Sequence, residues 1–327
     1  MPKARKRQKP VGQDVHEQNG KVSSQSEPDR MGNRPKSSKM CNGRLSGWSC
    51  RLVHHDALPS FLQDNEYLIN NHRPQLPSFT ECVKSAFRLH TETWNIWTHT
   101  IPFFFVVVFA ASQMLKPTDE VDLEYKMAYT PVFIGSIFCF GASGCFHTVL
   151  CHSEEMHCLF SKFDYCGVIG MIVLSCISWL YYGFYCHLHL QVTYIITMLS
   201  CGVLSICIVM NDKFSTPAYR IHRAILFITL GLSCGLPGMH LIIIDINSTI
   251  FEYLPWLLSM ALIYIAGGVI YAIRIPERLF PGRFDVWFHS HQILHLCVVG
   301  GATCCYVGLR KFSESIAGTC DKLHQGV

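Results

Sequence analysis

The sequence predicts an all-α membrane protein: a seven-transmembrane helix bundle, N-terminus cytoplasmic and C-terminus extracellular, preceded by a short amphipathic helix. Three observations carry this. Charged residues make up 15% of the 327-residue chain and hydrophobic ones 50%, against roughly 25% charged in soluble domains. The apolar residues gather into seven stretches, each about as long as the ~20 residues needed to cross a bilayer. Lys and Arg fall mostly on one side of those stretches.

Residues 1–51 hold 12 of the 27 Lys and Arg but 4 of the 23 Asp and Glu. The first 47 residues are poor in aromatic and β-branched side chains and cannot bury enough surface to offset ordering entropy. They are expected to form a disordered, basic cytoplasmic tail. Its cluster of Lys3, Arg5, Lys6, Arg7 and Lys9 suits anionic lipid headgroups. No apolar run follows the cluster, so no cleavable signal peptide is expected. The remaining 276 residues carry 15 basic and 19 acidic side chains, a balance that argues against nucleic acid as a partner of the main body.

Residues 48–95 form a juxtamembrane segment on the cytoplasmic side. Within it, Ser78-Phe79-Thr80-Glu81 has capping-box spacing after Pro74 and Pro77. Phe79, Val83, Ala86 and Phe87 then recur at helical intervals, the pattern of an amphipathic helix lying on a membrane surface.

The transmembrane domain covers residues 96–309, with spans near Ile96–Leu115, Met127–Val149, Tyr165–Tyr185, Leu190–Met210, Ala224–Ile244, Leu254–Ile273 and Phe288–Leu309. Pro237-Gly238 should kink the fifth span. Residues 310–327 are left as an extracellular tail. The loops sharing a side with the N-terminus, and the N-terminal segment itself, carry 22 Lys and Arg; the other side carries 5. That asymmetry places the N-terminus inside, the reverse of a G-protein-coupled receptor.

Seventeen cysteines suggest a disulfide scaffold, but nine of them sit inside apolar runs and no CxxC pair occurs. Cys186 and Cys320 would both face an oxidising compartment and are candidates to pair. Asn247-Ser-Thr is a glycosylation acceptor on the outer side.

Ionisable residues in a membrane suggest function. In this topology Glu92, Asn95, His99, Ser143, His147, Asp164, His289, His291 and His295 fall in one leaflet at similar depth. His291 and His295 are spaced i, i+4 and leave one helical face. With His147 they can offer three nitrogens to one ion, and three histidines with an open fourth position form a catalytic zinc arrangement. Ser143 lies one turn before His147, and Asp164 is near the adjoining helix end. Either could orient a water, and the carboxylate could accept its proton. A metal-free polar cluster that locks the helices together is the competing reading. Glu92, Asn95 and His99 share a helical face and suit supporting or packing roles. His240 lies about ~24 Å along its span, too far to join. His289, His152 and Cys151 point off the ligand face or lie in a loop.

Several stretches resemble a known family. They are His90-Thr-Glu-Thr-Trp-Asn-Ile-Trp-Thr-His99, Phe146-His147-Thr-Val-Leu-Cys-His-Ser-Glu154, Ser161-Lys-Phe-Asp-Tyr165 and Trp179-Leu-Tyr-Tyr182. Arg274-Ile-Pro-Glu-Arg-Leu-Phe-Pro-Gly282 and Ser290-His-Gln-Ile-Leu-His295 complete the set. From about Trp48 onward the chain is similar to the progestin and adipoQ receptor family, in its adiponectin-receptor branch. The resemblance implies a zinc ion on His147, His291 and His295, a water-contacting Asp164 and a neighbouring Ser143. It also implies a plasma-membrane receptor for an extracellular adiponectin-like hormone, signalling to AMP-activated kinase and lipid oxidation. Zinc-dependent hydrolysis of ceramide would accompany that signalling. Cytoplasmic adaptors and a second copy of the chain are further candidate partners. Trp94 departs from the family, standing where vertebrate receptors have glycine. Two readings rival the hydrolase: a signalling receptor with structural zinc and no turnover, and a steroid-binding receptor.

Overall fold

The computed structural model describes residues 51–244 and 250–316. The basic tail, Asn247 and Cys320 lie outside the described residues. Nine α-helices are present among those described: α1 (Phe79–Ser85), α2 (Thr93–Met114), α3 (Leu123–Val149), α4 (Glu154–Gly183), α5 (Leu188–Val209), α6 (Arg220–Ser233), α7 (Gly235–Ile244), α8 (Ile250–Ile273) and α9 (Ser290–Ile316). α2, α3, α4, α5, the joined α6–α7, α8 and α9 are each long and apolar enough to cross a membrane. The chain is a multi-pass membrane protein with seven spans.

Three boundaries differ from the expected ones, each for a local reason. The last span begins at Ser290, not Phe288, because Phe288 has φ of 61° and cannot continue a right-handed helix. The fifth span breaks at Cys234, between α6 and α7, one turn before Pro237-Gly238. Pro237 has no N–H to offer the carbonyl four residues back, so the interruption appears on its N-terminal side. The third span begins at Glu154, eleven residues before Tyr165. Its start is fixed by the Ser153 hydroxyl, which accepts from Met156 N–H at 3.3 Å.

α3 packs along α4, and α8 along α9. Backbones approach closely where side chains vanish: a Cβ on Gly167 would sit 3.0 Å from Cys139 Cα, and one on Gly301 would meet the Tyr264 ring at 2.3 Å. Small residues at helix contacts are the usual device for close packing in lipid. At the end of the bundle away from α1, Tyr129, Tyr253, Leu309 and Phe312 form a buried core.

Residues 51–92 are not a loose collar. The Asp285 carboxylate accepts from Ile69 and Asn70 N–H at 2.8 Å each, and Arg274 pairs with Glu66. Leu76 N–H donates to Cys151 O at 2.9 Å. The segment therefore straps the α3–α4 turn and the α8–α9 connection together. Within it, Ser78 Oγ caps α1 by accepting from Glu81 N–H at 3.3 Å, while the Glu81 carboxylate turns to Lys84 at 3.0 Å. The apolar face of α1 divides: Phe79, Val83 and Phe87 are exposed, whereas Cys82 and Ala86 are buried against the strap and the α3–α4 turn.

Candidate metal centre

Four helix ends meet beneath the strap. His147 sits in the last turn of α3; His291 and His295 occupy successive turns at the start of α9. The start of α9 is held by Glu277, fully buried, whose carboxylate accepts from Ser290 N–H at 2.8 Å and from the Ser290 hydroxyl. A carboxylate at this position also complements the positive helix end. Ring centroids are 4.8 Å apart for His147 and His291, 5.0 Å for His147 and His295, and 4.9 Å for His291 and His295. One nitrogen from each ring lies within 4.8 Å of the others.

Hydrogen bonds decide which nitrogens point inward. His147 Nδ1 lies 2.8 Å from Glu92 Oε2, so a proton on Nδ1 donates to the carboxylate and Nε2 keeps its lone pair. That Nε2 is buried with no hydrogen-bond partner. Thr98 donates its hydroxyl proton to Trp94 O at 2.6 Å and accepts from His295 Nδ1 at 3.0 Å. His295 is thereby set in the same tautomer. Carboxylate and hydroxyl partners behind histidines are how metal ligands are oriented, and a buried lone pair without a partner is costly unless something binds it. The residues fit a divalent ion of the zinc type.

The partners of Glu92 explain its charge. Burial works to raise its carboxyl pKa, but the bonds from His147 and from Asn95 Nδ2 at 2.7 Å, with the Arg73 guanidinium nearby, hold it well below the usual carboxylate range. Arg73 in turn reaches the His147 carbonyl at 2.6 Å and the Thr148 carbonyl at 3.1 Å. His99 stacks on His295, centroids 3.7 Å apart and planes 6° from parallel. The supporting roles expected for Glu92, Asn95 and His99 match these contacts.

A cavity of about 540 Å³ runs from this cluster into the bundle. Ser143, His147, Asp164, His291 and His295 line one part of it, and apolar residues such as Val168, Ile172, Leu257 and Ile265 line the rest. Asp164 is not near a helix end, as the span boundary had suggested. It lies ten residues into α4, within electrostatic reach of His147. Ser143 Oγ is buried beside the Asp164 carboxylate.

The remaining candidates lie elsewhere. His240 bonds Tyr194 Oη at 2.7 Å in the other half of the bundle. His289 is turned to Thr91 O at 3.2 Å, and His152 packs its ring on Phe79. Trp94 packs against Trp287, centroids 4.6 Å apart and planes tilted by 37°, at the helix entry. Sequence reasoning missed Thr98, Arg73 and Tyr271, whose ring meets His291 edge-on at 5.1 Å. Thr98 adjoins His99 in a segment already singled out, but no spacing rule distinguishes it; Arg73 entered only as one of the basic residues counted before the first span.

Residues 87–306 match the family model described as haemolysin-III related. An adiponectin receptor protein of Drosophila melanogaster is 45% identical over 267 residues, 81% of this chain and 60% of that protein. The chain belongs to the progestin and adipoQ receptor family. A progestin and adipoQ receptor-like protein of Caenorhabditis elegans is 42% identical over 268 residues, covering 80% and 61% of the two chains. The yeast ADIPOR-like receptor IZH2 is 34% identical over 270 residues, covering 81% and 85%. This family member thus spans about three fifths of the length of its fly and nematode relatives.

Proposed function

We propose that this chain is an adiponectin-receptor-like plasma-membrane protein whose three histidines hold zinc and whose cavity takes a ceramide-type lipid for amide hydrolysis. The observation that carries the reading is the junction of an oriented histidine triad, one member ending in an unpartnered buried nitrogen, with a long apolar cavity. An N-terminus in the cytoplasm is proposed from the 22-to-5 division of basic residues. Cys186, which then lies outside, is disulfide-bonded, as suits an oxidising compartment.

Zinc bound there supplies a Lewis acid for an amide carbonyl and for the water that attacks it. The rest falls to the chain. His147, His291 and His295 would hold the ion, His147 and His295 in the tautomers that Glu92 and Thr98 set. The Asp164 carboxylate takes the proton released by the attacking water and returns it to the departing amine nitrogen. Ser143, beside the Asp164 carboxylate, helps to orient that water. Apolar walls seat the two hydrocarbon chains and keep bulk water from the reaction centre. A hormone of the adiponectin type outside, and an adaptor inside, complete the proposed signalling unit.

The rival with structural zinc requires a closed coordination sphere. Among the described residues the metal-competent group has three members, which favours the open arrangement. The deciding measurement is metal content per chain beside fatty-acid release from ceramide, for the parent and for His291→Ala. Zinc near one per chain with turnover in the parent, both lost in the variant, supports the hydrolase. Zinc without turnover in the parent rejects it.

A further inference from the structure

The contact between α1 and the α3–α4 turn has chemistry of its own. Cys82 of α1 and Cys151 of the turn place their sulfurs 3.8 Å apart, and both residues are buried, at 0% and 1% exposure. They sit in a small apolar cluster with Leu76, Leu62 and Leu150. Leu62 and Leu150 belong also to the wall of the histidine cavity, together with Phe61 and Asp64 of the strap. The two thiols thus lie at the seam where the strap closes over the cavity.

We propose that Cys82 and Cys151 form a dithiol–disulfide couple, oxidised by hydrogen peroxide, that latches residues 51–92 onto the α3–α4 turn. The sulfurs are not equivalent. The bond between the two thiols, opposed by burial and aided by the Arg73 guanidinium, holds the Cys151 thiol below its ordinary range and pushes Cys82 up. Cys151 is therefore the nucleophile. Its thiolate attacks one peroxide oxygen, forming an S–O bond as O–O breaks, and the displaced hydroxide leaves as water after protonation. Cys82 then attacks the Cys151 sulfur, forming S–S, breaking S–O and releasing a second water. Two thiols and one peroxide become one disulfide and two waters, and a dithiol reductant reverses the change. In the proposed orientation this end faces the reducing cytosol, where disulfides are transient and regulatory. Cys176, inside a span and beside Cys234 in an apolar core, has no cation among the groups that act on it.

The test uses the purified full chain, reduced, exposed to graded hydrogen peroxide, then denatured in alkylating reagent and digested without reductant. Neither readout involves metal or substrate, so failure here is separate from failure of the zinc reading. A Cys82–Cys151 linked peptide should form at the lowest peroxide doses and vanish with dithiothreitol. In Cys82→Ser, Cys151 should instead be trapped as a sulfenic acid by dimedone. Amide exchange over residues 51–92 should slow on the order of 30-fold in the oxidised parent, the lower end expected of a cross-link closing a long loop. Preferential linkage of Cys176 and Cys234, or alkylation of Cys82 and Cys151 after oxidation elsewhere, overturns the couple. A linked pair with unchanged exchange overturns the latch.

Discussion

Replacing Glu92 by glutamine separates the charge behind His147 from the geometry it enforces. One oxygen, Oε2, accepts both from His147 Nδ1 and from Asn95 Nδ2, at 2.8 and 2.7 Å. A glutamine carbonyl oxygen in that place keeps both bonds and the side-chain volume, and only the negative charge is lost. A hydrogen bond to a charged partner contributes about 1.5–3 kcal/mol and a neutral one about 0.5–1.5. The difference, about 1–1.5 kcal/mol, is roughly a tenfold change in an equilibrium constant. Zinc affinity in Glu92→Gln should therefore fall roughly tenfold, the low end of what losing a carboxylate behind a ligating histidine costs. Glu92→Ala should lose more, because the His147 Nδ1–H and the Asn95 amide are then both left unpaired in a buried place. The assay is competition against a chelator of known affinity with purified full-length chain. His240→Phe serves as a control that touches neither the triad nor Glu92. Parental zinc affinity in Glu92→Gln would refute the claim that this carboxylate tunes His147. Equal losses in the glutamine and alanine variants would show that charge alone matters and geometry does not.

Three further outcomes follow from the same contacts. Asp164→Asn at matched zinc content should slow ceramide hydrolysis by about 10²–10⁴-fold, the usual worth of a general base; parental rates of fatty-acid release would remove Asp164 from the mechanism. Gly167→Val places a Cβ 3.0 Å from Cys139 Cα, on the α4 face that meets α3; it should destabilise the bundle by about 1–3 kcal/mol, read as a lower unfolding midpoint in detergent. Acidification should loosen the strap. Burial, with the nearby Arg73 charge, lowers the His90 pKa to about 3, below the ordinary value of about 6.5. The unfolded strap thus binds the proton more readily, stability is complete above about pH 6.5, and it declines toward pH 3 as the folded histidine resists charging. At pH 5 the loss approaches about 2 kcal/mol, visible as faster amide exchange over residues 51–92 than at pH 7.5; pH-independent opening would contradict it.

The parts of this molecule legible in the sequence are those governed by periodicity and solvent. Seven apolar runs mark seven spans because lipid permits few charges along a helix. His291 and His295 declare a shared face by their spacing alone. His147 joins them once alternating spans assign ends, since α3 finishes where α2, α4 and α9 begin. What escaped is set by backbone detail and by contacts between distant segments. Nothing local to Asp164 reveals that α4 starts at Glu154 and carries the carboxylate about three turns from its helix start. Nor does any pattern within residues 51–78 disclose that Asp285 and Glu277, more than 200 residues away, hold that segment down. Non-helical backbone satisfied by remote carboxylates has no period to read.

That strap gives the site a feature the triad alone lacks. Arg73 of the strap grips the His147 carbonyl, Glu92 at its end grips the His147 ring, and Asn65 donates to the Glu277 carboxylate that starts α9. All three ligands are therefore positioned, directly or through Glu277 and Ser290, by a single segment of 42 residues outside the spans. Helices sliding in lipid would shift His147 relative to His291 and His295, but the strap ties both helix ends to one frame. Loosening it should lower metal affinity and open the cavity together. The cavity and the metal centre are coupled by construction, and a signal that moves the strap reaches both.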